Sequence, residues 1–235
     1  MYQLDRPECG NALLNALPES DANRLLAKME RVPLLSKDIL HLPGEPIKTA
    51  HFIESGIIAI LVVLENGDYA EVGVVGREGM IGLPLIFGAH RSPNEAMVVS
   101  AGTALEIGYA DFKVELDRSP YLSKLMSRYL RAFYAQVSQT AACNGLHTLQ
   151  QRLARWLLLA HDRSDGDDLD LTHEALSMML CVHRPAISIA AGNLQKLGIL
   201  EYRRGRIRIL DRRGLETMSC ECYAAVQKEA GRLLG

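Results

Sequence analysis

The 235-residue sequence has no run of about 18 apolar residues, so no membrane-spanning helix is expected in it. Its opening, MYQLDRPECG, lacks the basic segment followed by an apolar one that marks a secretory leader, and the expected compartment is the cytoplasm. Cysteine is scarce and odd in number: Cys9, Cys143, Cys181, Cys220 and Cys222. Five widely spread thiols do not make a disulfide framework. Only Cys220 and Cys222 are close, and C-E-C is not the C-x2-C or C-x4-C spacing of zinc sites. They read as two thiols near a helix start, and no metal is expected. His41, His51 and His90 form no H-x-H pair, and Glu54 and Glu71 have no evident partner. No catalytic constellation follows from them, so the chain reads as a non-enzyme. The acidic stretch RSDGDDLD lacks the twelve-residue pattern of a calcium loop and reads as solvated surface.

An overall excess of positive charge is also missing, since the formal net charge is -2. Its distribution is uneven. Residues 173–213 carry a net of +5, and the rest of the chain carries -7. Phosphate binding needs such local concentration, whatever the total. Hydrophobic residues make up 48 %, an ordinary share for a globular chain, and the length is enough for two domains.

Residues 11–30 hold two short helical patterns, one with Leu13, Leu14 and Leu17, the next opening at Pro18-Glu19 and burying Leu25, Leu26 and Met29. From Ile39 to Tyr109 ten glycines separate β-rich runs: His51–Glu54, Ile57–Leu64, Tyr69–Val75, Met97–Ser100 and Thr103–Tyr109. Glu65-Asn66-Gly67-Asp68 is a hairpin signal, because Asn-Gly accepts the positive φ of a tight turn. Many short strands without helices between them predict a jelly roll or small barrel. Residues 121–143 then read as one long helix, with Leu122, Met126, Tyr129, Leu130, Phe133 and Val137 on a wide apolar face, part of it available to the β-domain and the rest suited to pairing with a second copy. Asn144-Gly145 reads as its end and hinge. A second helix spans about 148–161.

The next segment carries the functional signal. Thr172 caps a first short helix, Cys181-Val182-His183 makes a turn, and a second helix runs from Arg184-Pro185 to Lys196. Two short helices joined by about three residues form a helix-turn-helix. Ile199–Tyr202 and Ile207–Leu210 read as two strands around Arg203-Arg204-Gly205-Arg206, a basic wing. The expected DNA-binding set is Thr172, His183, Arg184, Ser188, Arg203, Arg204 and Arg206, with Arg184 reading a base and the wing arginines meeting phosphates. The competing reading is a non-catalytic module that uses the winged helix to dock a protein partner.

The stretches THEALSMMLCVHRPAISIAAGNLQKLGILEYRRGRIRIL and FIESGIIAILVVLENGDYAEVGVVGREGMIG resemble the Crp/Fnr superfamily of bacterial transcription regulators, over about residues 25–215. The resemblance implies an α+β chain. It would consist of a cyclic-nucleotide-binding-like jelly roll (1–120), a dimerisation helix and hinge (121–145), a winged helix-turn-helix (146–218) and a tail (219–235). It implies a homodimer on a near-palindromic double-stranded DNA operator, controlled by a small-molecule effector or redox signal in the roll, with RNA polymerase as a further partner. The chain departs from the cyclic-nucleotide-binding pattern. Leu83, in Gly82-Leu83-Pro84, stands where the ribose-binding carboxylate belongs. The phosphate-binding arginine is replaced by Asn94-Glu95-Ala96, or in another register is Arg91 of Arg91-Ser92-Pro93. Gly82, Leu83, Arg91 and Asn94 thus mark the expected effector site, and cyclic AMP is not its expected ligand. Only Cys9 lies where the redox branch carries a cysteine cluster, so no iron–sulfur cofactor is expected, and neither His51 nor His90 reads as a haem ligand. In the reading helix the family's Arg, Glu and second Arg are here Arg184, Pro185 and Ile189, which implies a different operator.

Overall fold

The computed structural model describes residues 9–233, so most of the opening segment, MYQLDRPE, and the last two residues of the expected tail lie outside the description. In chain order the elements are α1 (Ala12–Asn15), α2 (Glu19–Leu26), β1 (Glu30–Leu34), β2 (Ile39–His41), β3 (Thr49–Val63), β4 (Tyr69–Val75) and β5 (Met80–Ile81). A 3-10 turn (Leu83–Phe87), β6 (Glu95–Gly108), α3 (Tyr109–Arg118), α4 (Pro120–Leu146) and α5 (Leu149–His161) follow. The chain continues with β7 (Asp168–Leu169), α6 (His173–Met179), α7 (Arg184–Lys196), β8 (Leu200–Arg203), β9 (Arg206–Ile209), α8 (Arg212–Met218) and α9 (Cys222–Gly231). No single helix among the described residues is long and apolar enough to cross a membrane.

The roll is an antiparallel sheet of order β1-β6-β3-β4, with β2 on β6 and β5 on β3. The runs read as separate strands at 51–54 and 57–64 are one strand, as are those at 97–100 and 103–109. Each bends where the other does, with register shifts around Ser55 and Ile57. Two glycines permit the crossing. A Cβ on Gly56 would stand 2.6 Å from the Ser100 carbonyl oxygen, and one on Gly102 2.1 Å from that of Ser55. Periodicity reads each bend as a break because alternation is interrupted there. The edge strand β1 was not expected from the sequence. It contains Pro33, and an edge position is where a strand tolerates a residue with no N–H.

Ser119 starts the long helix α4, its Oγ accepting from the Leu122 N–H at 3.0 Å, with Pro120 in the first turn. The helix passes through Asn144 and Gly145 without a break, and the chain turns instead at His147 (φ -107°, ψ 151°). Thr148 and Gln151 then open α5 with a capping box, each side chain meeting the other's backbone N–H. The break after α4 therefore lies at His147-Thr148 and not at residues 144–145, which the sequence reads as helix end and hinge. The assignment of α4's apolar face to dimerisation also needs correction. Leu122, Met126 and Tyr129 are buried inside their own protomer beneath the roll, and the Tyr129 hydroxyl donates to the Met80 carbonyl at 3.0 Å. Phe133 and Gln136 lie over β4 so closely that a Cβ on Gly73 would come within 3.0 Å of each. Gln136 Oε1 accepts the Val74 N–H at 2.6 Å, satisfying a buried donor on the edge strand that α4 covers. Leu130 and Val137 stay half-buried, and Tyr134 beside them is 71 % exposed.

Helix α5 is buried on all sides, from Leu153 to Ala160, because it is sandwiched between roll and head. Its residues share one core with Ile57, Ala59, Leu61 and Val74 of the roll and with Ile187, Ala191 and Leu194 of the head. Arg163 reaches Glu78 at 2.9 Å and Arg77 reaches Asp165 at 2.7 Å across the same junction. Glu71, fully enclosed there, accepts the indole N–H of Trp156. Burial is the largest influence on this carboxyl and lifts it above the usual carboxylate range. The folded chain thus keeps a proton that the unfolded chain releases. The associated stability is complete below the ordinary carboxylate pKa and is lost as pH rises through the raised folded value. Glu71→Gln keeps an acceptor for the indole and removes the titration. Thermal melts between about pH 4 and about pH 9 should show the variant matching the wild type at the acid end and exceeding it at the alkaline end. Parallel curves across that range would refute the assignment.

Candidate nucleic-acid interface

The head holds its two short helices at 109° to one another, within the range of helix-turn-helix units. Thr172 Oγ1 accepts from the Ala175 N–H at 3.0 Å, so this hydroxyl caps α6 and is not the free DNA contact expected of it. The turn is tight at Cys181, whose φ is +51°, and the Cys181 thiol donates to the Tyr69 carbonyl at 3.2 Å, seating the head's turn against β4. His183 occupies the N-cap of α7 in extended backbone geometry, and its side chain makes no capping bond. Its exposed ring is left facing solvent at the helix start.

Helix α7 buries Ile187, Ala190, Ala191 and Leu194. At three- and four-residue spacing this places Pro185, Ser188, Ile189 and Lys196 on the outward face, with Ile189 68 % exposed. Arg184 is exposed at the same end and forms no ion pair among the described residues. Ser188 is less free than the sequence implies. Its hydroxyl donates back to the Arg184 carbonyl at 3.3 Å and meets His173 Nδ1 at 3.0 Å. His173 stacks on Tyr202 with ring centroids 3.9 Å apart, which ties α6, α7 and the wing together. Burial, then the charge of Arg184, lowers the His173 pKa and keeps the ring neutral at neutral pH. The sequence reading missed His173, Tyr202 and Lys196, and had Ile189 only as a departure from the family's second arginine. The helical period of α7 could have shown that Ile189 and Lys196 face outward.

The wing is a two-residue hairpin. Arg203 and Arg206 are the closing pair, and Arg204 (φ +48°) and Gly205 (φ +85°) form the turn. Two successive positive φ values mark the type I′ geometry that matches strand twist. Only Arg204 stands at the tip. Arg206 Nε lies 2.8 Å from Asp170, Arg208 Nε 2.8 Å from Asp168, and Arg203 Nη2 2.6 Å from Glu201. The expectation of three free wing arginines is therefore corrected, because Glu201 on β8 pairs Arg203 and the pairing of β9 with β7 brings Asp170, just past β7, beside Arg206.

The expected effector residues surround a cavity of about 270 Å³ in the roll, with Ile60, Met80, Leu83, Phe87 and Phe133 in its wall. Gly82 turns the chain with φ +104° and Leu83 starts the 3-10 turn, so an apolar side chain stands where the family's carboxylate would lie. The exposed Arg91 donates to the Gly44 carbonyl, and its loop bridges to Pro46. The Asn94 N–H donates to Ser92 Oγ at 3.0 Å. The Arg91 guanidinium and the Asn94 backbone N–H are thus bonded to neighbouring loop groups, and the wall is largely apolar. Phe133 comes from α4, so what fills the cavity touches the long helix directly.

Two family models match the chain. One described as a cyclic nucleotide-binding domain covers residues 31–119, and one described as a Crp-like helix-turn-helix domain covers 151–218. The chain is 24 % identical over 198 residues to the transcriptional regulator SdrP of Thermus thermophilus, covering 81 % of this chain and 94 % of the relative. It is 25 % identical over 206 residues to the regulator LdrP of the same organism, covering 84 % and 95 %. The structure of FixK2 from Bradyrhizobium japonicum superposes with a TM-score of 0.71 at 13 % identity, covering 82 % of this chain and 98 % of that one. The matched families are regulatory, and none of them is catalytic. Roll, long helix and winged head occur here in the same order, and the chain belongs to the Crp/Fnr family of transcription regulators, with a DNA-binding helix-turn-helix behind an effector-binding domain.

Proposed function

We propose that two copies of the chain pair along the outer face of α4 and bind a near-palindromic double-stranded DNA operator, each presenting α7 to a major groove. This places its work in the cytoplasm with the chromosome, and the family resemblance adds RNA polymerase as a partner. The observation that carries the reading is the exposed Arg184 at the start of α7 together with Arg204 at the wing tip, neither of which forms an ion pair among the described residues. The N-terminal end of the second helix is the part that reaches base edges. A guanidinium there can make two parallel hydrogen bonds to one guanine, worth about 1–3 kcal/mol of discrimination. Ile189 offers the apolar contact suited to a thymine methyl. Arg204 projects from the hairpin toward phosphates, which are alike at every base pair.

Arg184→Ala should flatten the preference for operator over scrambled duplex. Arg204→Ala should weaken both duplexes alike and reduce the salt slope by about 0.9. Arg206→Ala should do less, since Asp170 already faces that guanidinium, although exposed pairs of this kind are weak enough to exchange for phosphate. Titration of both duplexes at several salt concentrations measures these effects. Specificity lost in Arg204→Ala and kept in Arg184→Ala would reverse the roles, and salt-independent binding would remove DNA as the partner.

The effector is a small, largely apolar molecule in the roll cavity, acting on α4 through Phe133. The apolar wall and the Arg91 guanidinium committed to Gly44 support this reading over a nucleotide. Saturable heat from cyclic AMP in calorimetry would overturn it.

A further inference from the structure

Helix α9 folds back along the end of α4 and brings together three of the chain's thiols. Cys143 Sγ lies 3.5 Å from Cys220 Sγ, and Cys222 Sγ lies 3.5 Å from His147 Nδ1. All four donor atoms are within 4.8 Å of one another, the three cysteines are buried, and His147 is half-buried. A tetrahedral zinc site with bonds of about 2.3 Å to sulfur and about 2.0 Å to nitrogen has edges of about 3.8 Å between sulfurs and about 3.5 Å from sulfur to nitrogen. Two of the six edges stand at 3.5 Å, and none exceeds 4.8 Å.

Three further contacts point to a cation. His147 Nε2 lies 3.3 Å from Glu221 Oε2, an arrangement that holds the ring proton on Nε2 and leaves the Nδ1 lone pair directed at the thiols. Gln139 Nε2 donates to Cys222 Sγ at 3.1 Å, a bond that strengthens when the sulfur is a thiolate. Arg155 is 2 % exposed, donates to Thr140 at 3.2 Å, and has no hydrogen-bond partner at Nε or Nη1 among the described residues. A divalent cation held by three thiolates and a neutral imidazole carries one net negative charge, which is what a buried guanidinium with unpartnered nitrogens calls for.

We propose that Cys143, His147, Cys220 and Cys222 form a Cys3His site for a divalent cation of the zinc class, which pins α9 to the last turn of α4. The C-E-C pair has the wrong spacing for a zinc knuckle by itself. The other two ligands sit four residues apart, Cys143 in the last turn of α4 and His147 at its C-cap, whose N–H donates to the Cys143 carbonyl at 3.1 Å. The site lies at the His147-Thr148 joint, where α4 passes to the head, so the bound ion fixes the angle at which the head leaves the long helix. Binding displaces the thiol protons and leaves the sulfurs as ligands, with no change of oxidation state.

The test uses the full chain, purified anaerobically, stripped with chelator and titrated with cobalt(II). The expected result is stoichiometric uptake with a thiolate charge-transfer band and tetrahedral d–d bands, reversed by zinc. Cys143→Ser and Cys222→Ser should lose the spectrum, while Cys9→Ser and Cys181→Ser should keep it. Glu221→Gln changes an exposed side chain that leaves the fold untouched, and should weaken cobalt affinity about 10–100-fold by loosening His147. No saturable uptake, an octahedral spectrum, or unchanged affinity in both Cys143→Ser and Cys222→Ser would overturn the site. So would a Cys143–Cys220 disulfide mapped by mass spectrometry in the metal-free anaerobic chain.

Discussion

Tyr134→Glu combined with Val137→Glu should yield a folded monomer whose operator affinity falls by about 10²–10⁴-fold. A dimer holds its second head at a high effective concentration once the first is bound, and a monomer forfeits that gain. The positions follow from how α4 is shared out. Leu122, Leu125, Met126 and Tyr129 are consumed by the roll, and Thr140 and Cys143 are buried near its other end. What remains outward is Tyr134, the half-buried Leu130 and Val137 beside it, and Arg131, which is 3.9 Å from Glu229. An aromatic ring with most of its surface in water at the middle of a long helix suits a symmetric contact with a second copy. Two carboxylates there would face two more across the axis, buried and unpaired, which opposes association without touching the core of either protomer. Sedimentation gives the oligomeric state, and anisotropy with an operator duplex gives affinity. A wild type that sediments as a monomer at micromolar concentration would remove the interface, as would a double variant that stays dimeric.

Trp156→Ala should destabilise the chain by about 3–5 kcal/mol through lost packing. A further penalty of about 1–3 kcal/mol follows, because Glu71 loses its indole donor inside the core. Trp156 heads the fully buried side chains by volume and stands where α5 meets both the roll and the head. Total stability of a chain this size is about 5–15 kcal/mol, so one substitution removes a large share of it. At about 2–4 °C per kcal/mol, the packing loss alone corresponds to a Tm lower by about 6–20 °C. Trp156→Phe keeps most of the ring volume and loses the N–H, so it should fall between wild type and alanine. Calorimetry of the three proteins checks the order. A Tm for Trp156→Ala within a degree or two of wild type would mean that roll and head do not share this core. Separate transitions for the two domains in the alanine variant would support the shared core, since the ring is part of what couples them.

By itself the sequence determined the parts whose signals are local. The bounds of α7 follow from Pro185 in its first turn, from a helical period of apolar residues and from Gly198 behind it. The wing follows from two short apolar runs around Arg204-Gly205, and the roll hairpin from Asn66-Gly67. Leu83 in place of a carboxylate was legible as a loss of nucleotide chemistry, since that depends on residue type alone. Only the tertiary structure decided which neighbour covers each apolar face. Periodicity records that Leu122, Met126, Tyr129, Leu130, Phe133 and Val137 share a broad stripe on α4. It carries no information on whether a roll, a ligand cavity or a second copy lies against each of them. The same limit hid the acids beside Arg206 and Arg208, which arrive on β7 and just past it from a stretch that reads as a solvated loop. It also hid the four donors at the end of α4, because Cys143 and His147 lie more than seventy residues from Cys220 and Cys222. Residues that far apart meet only when α9 packs back on α4, and that packing is set by burial of whole faces, which no spacing within either segment encodes.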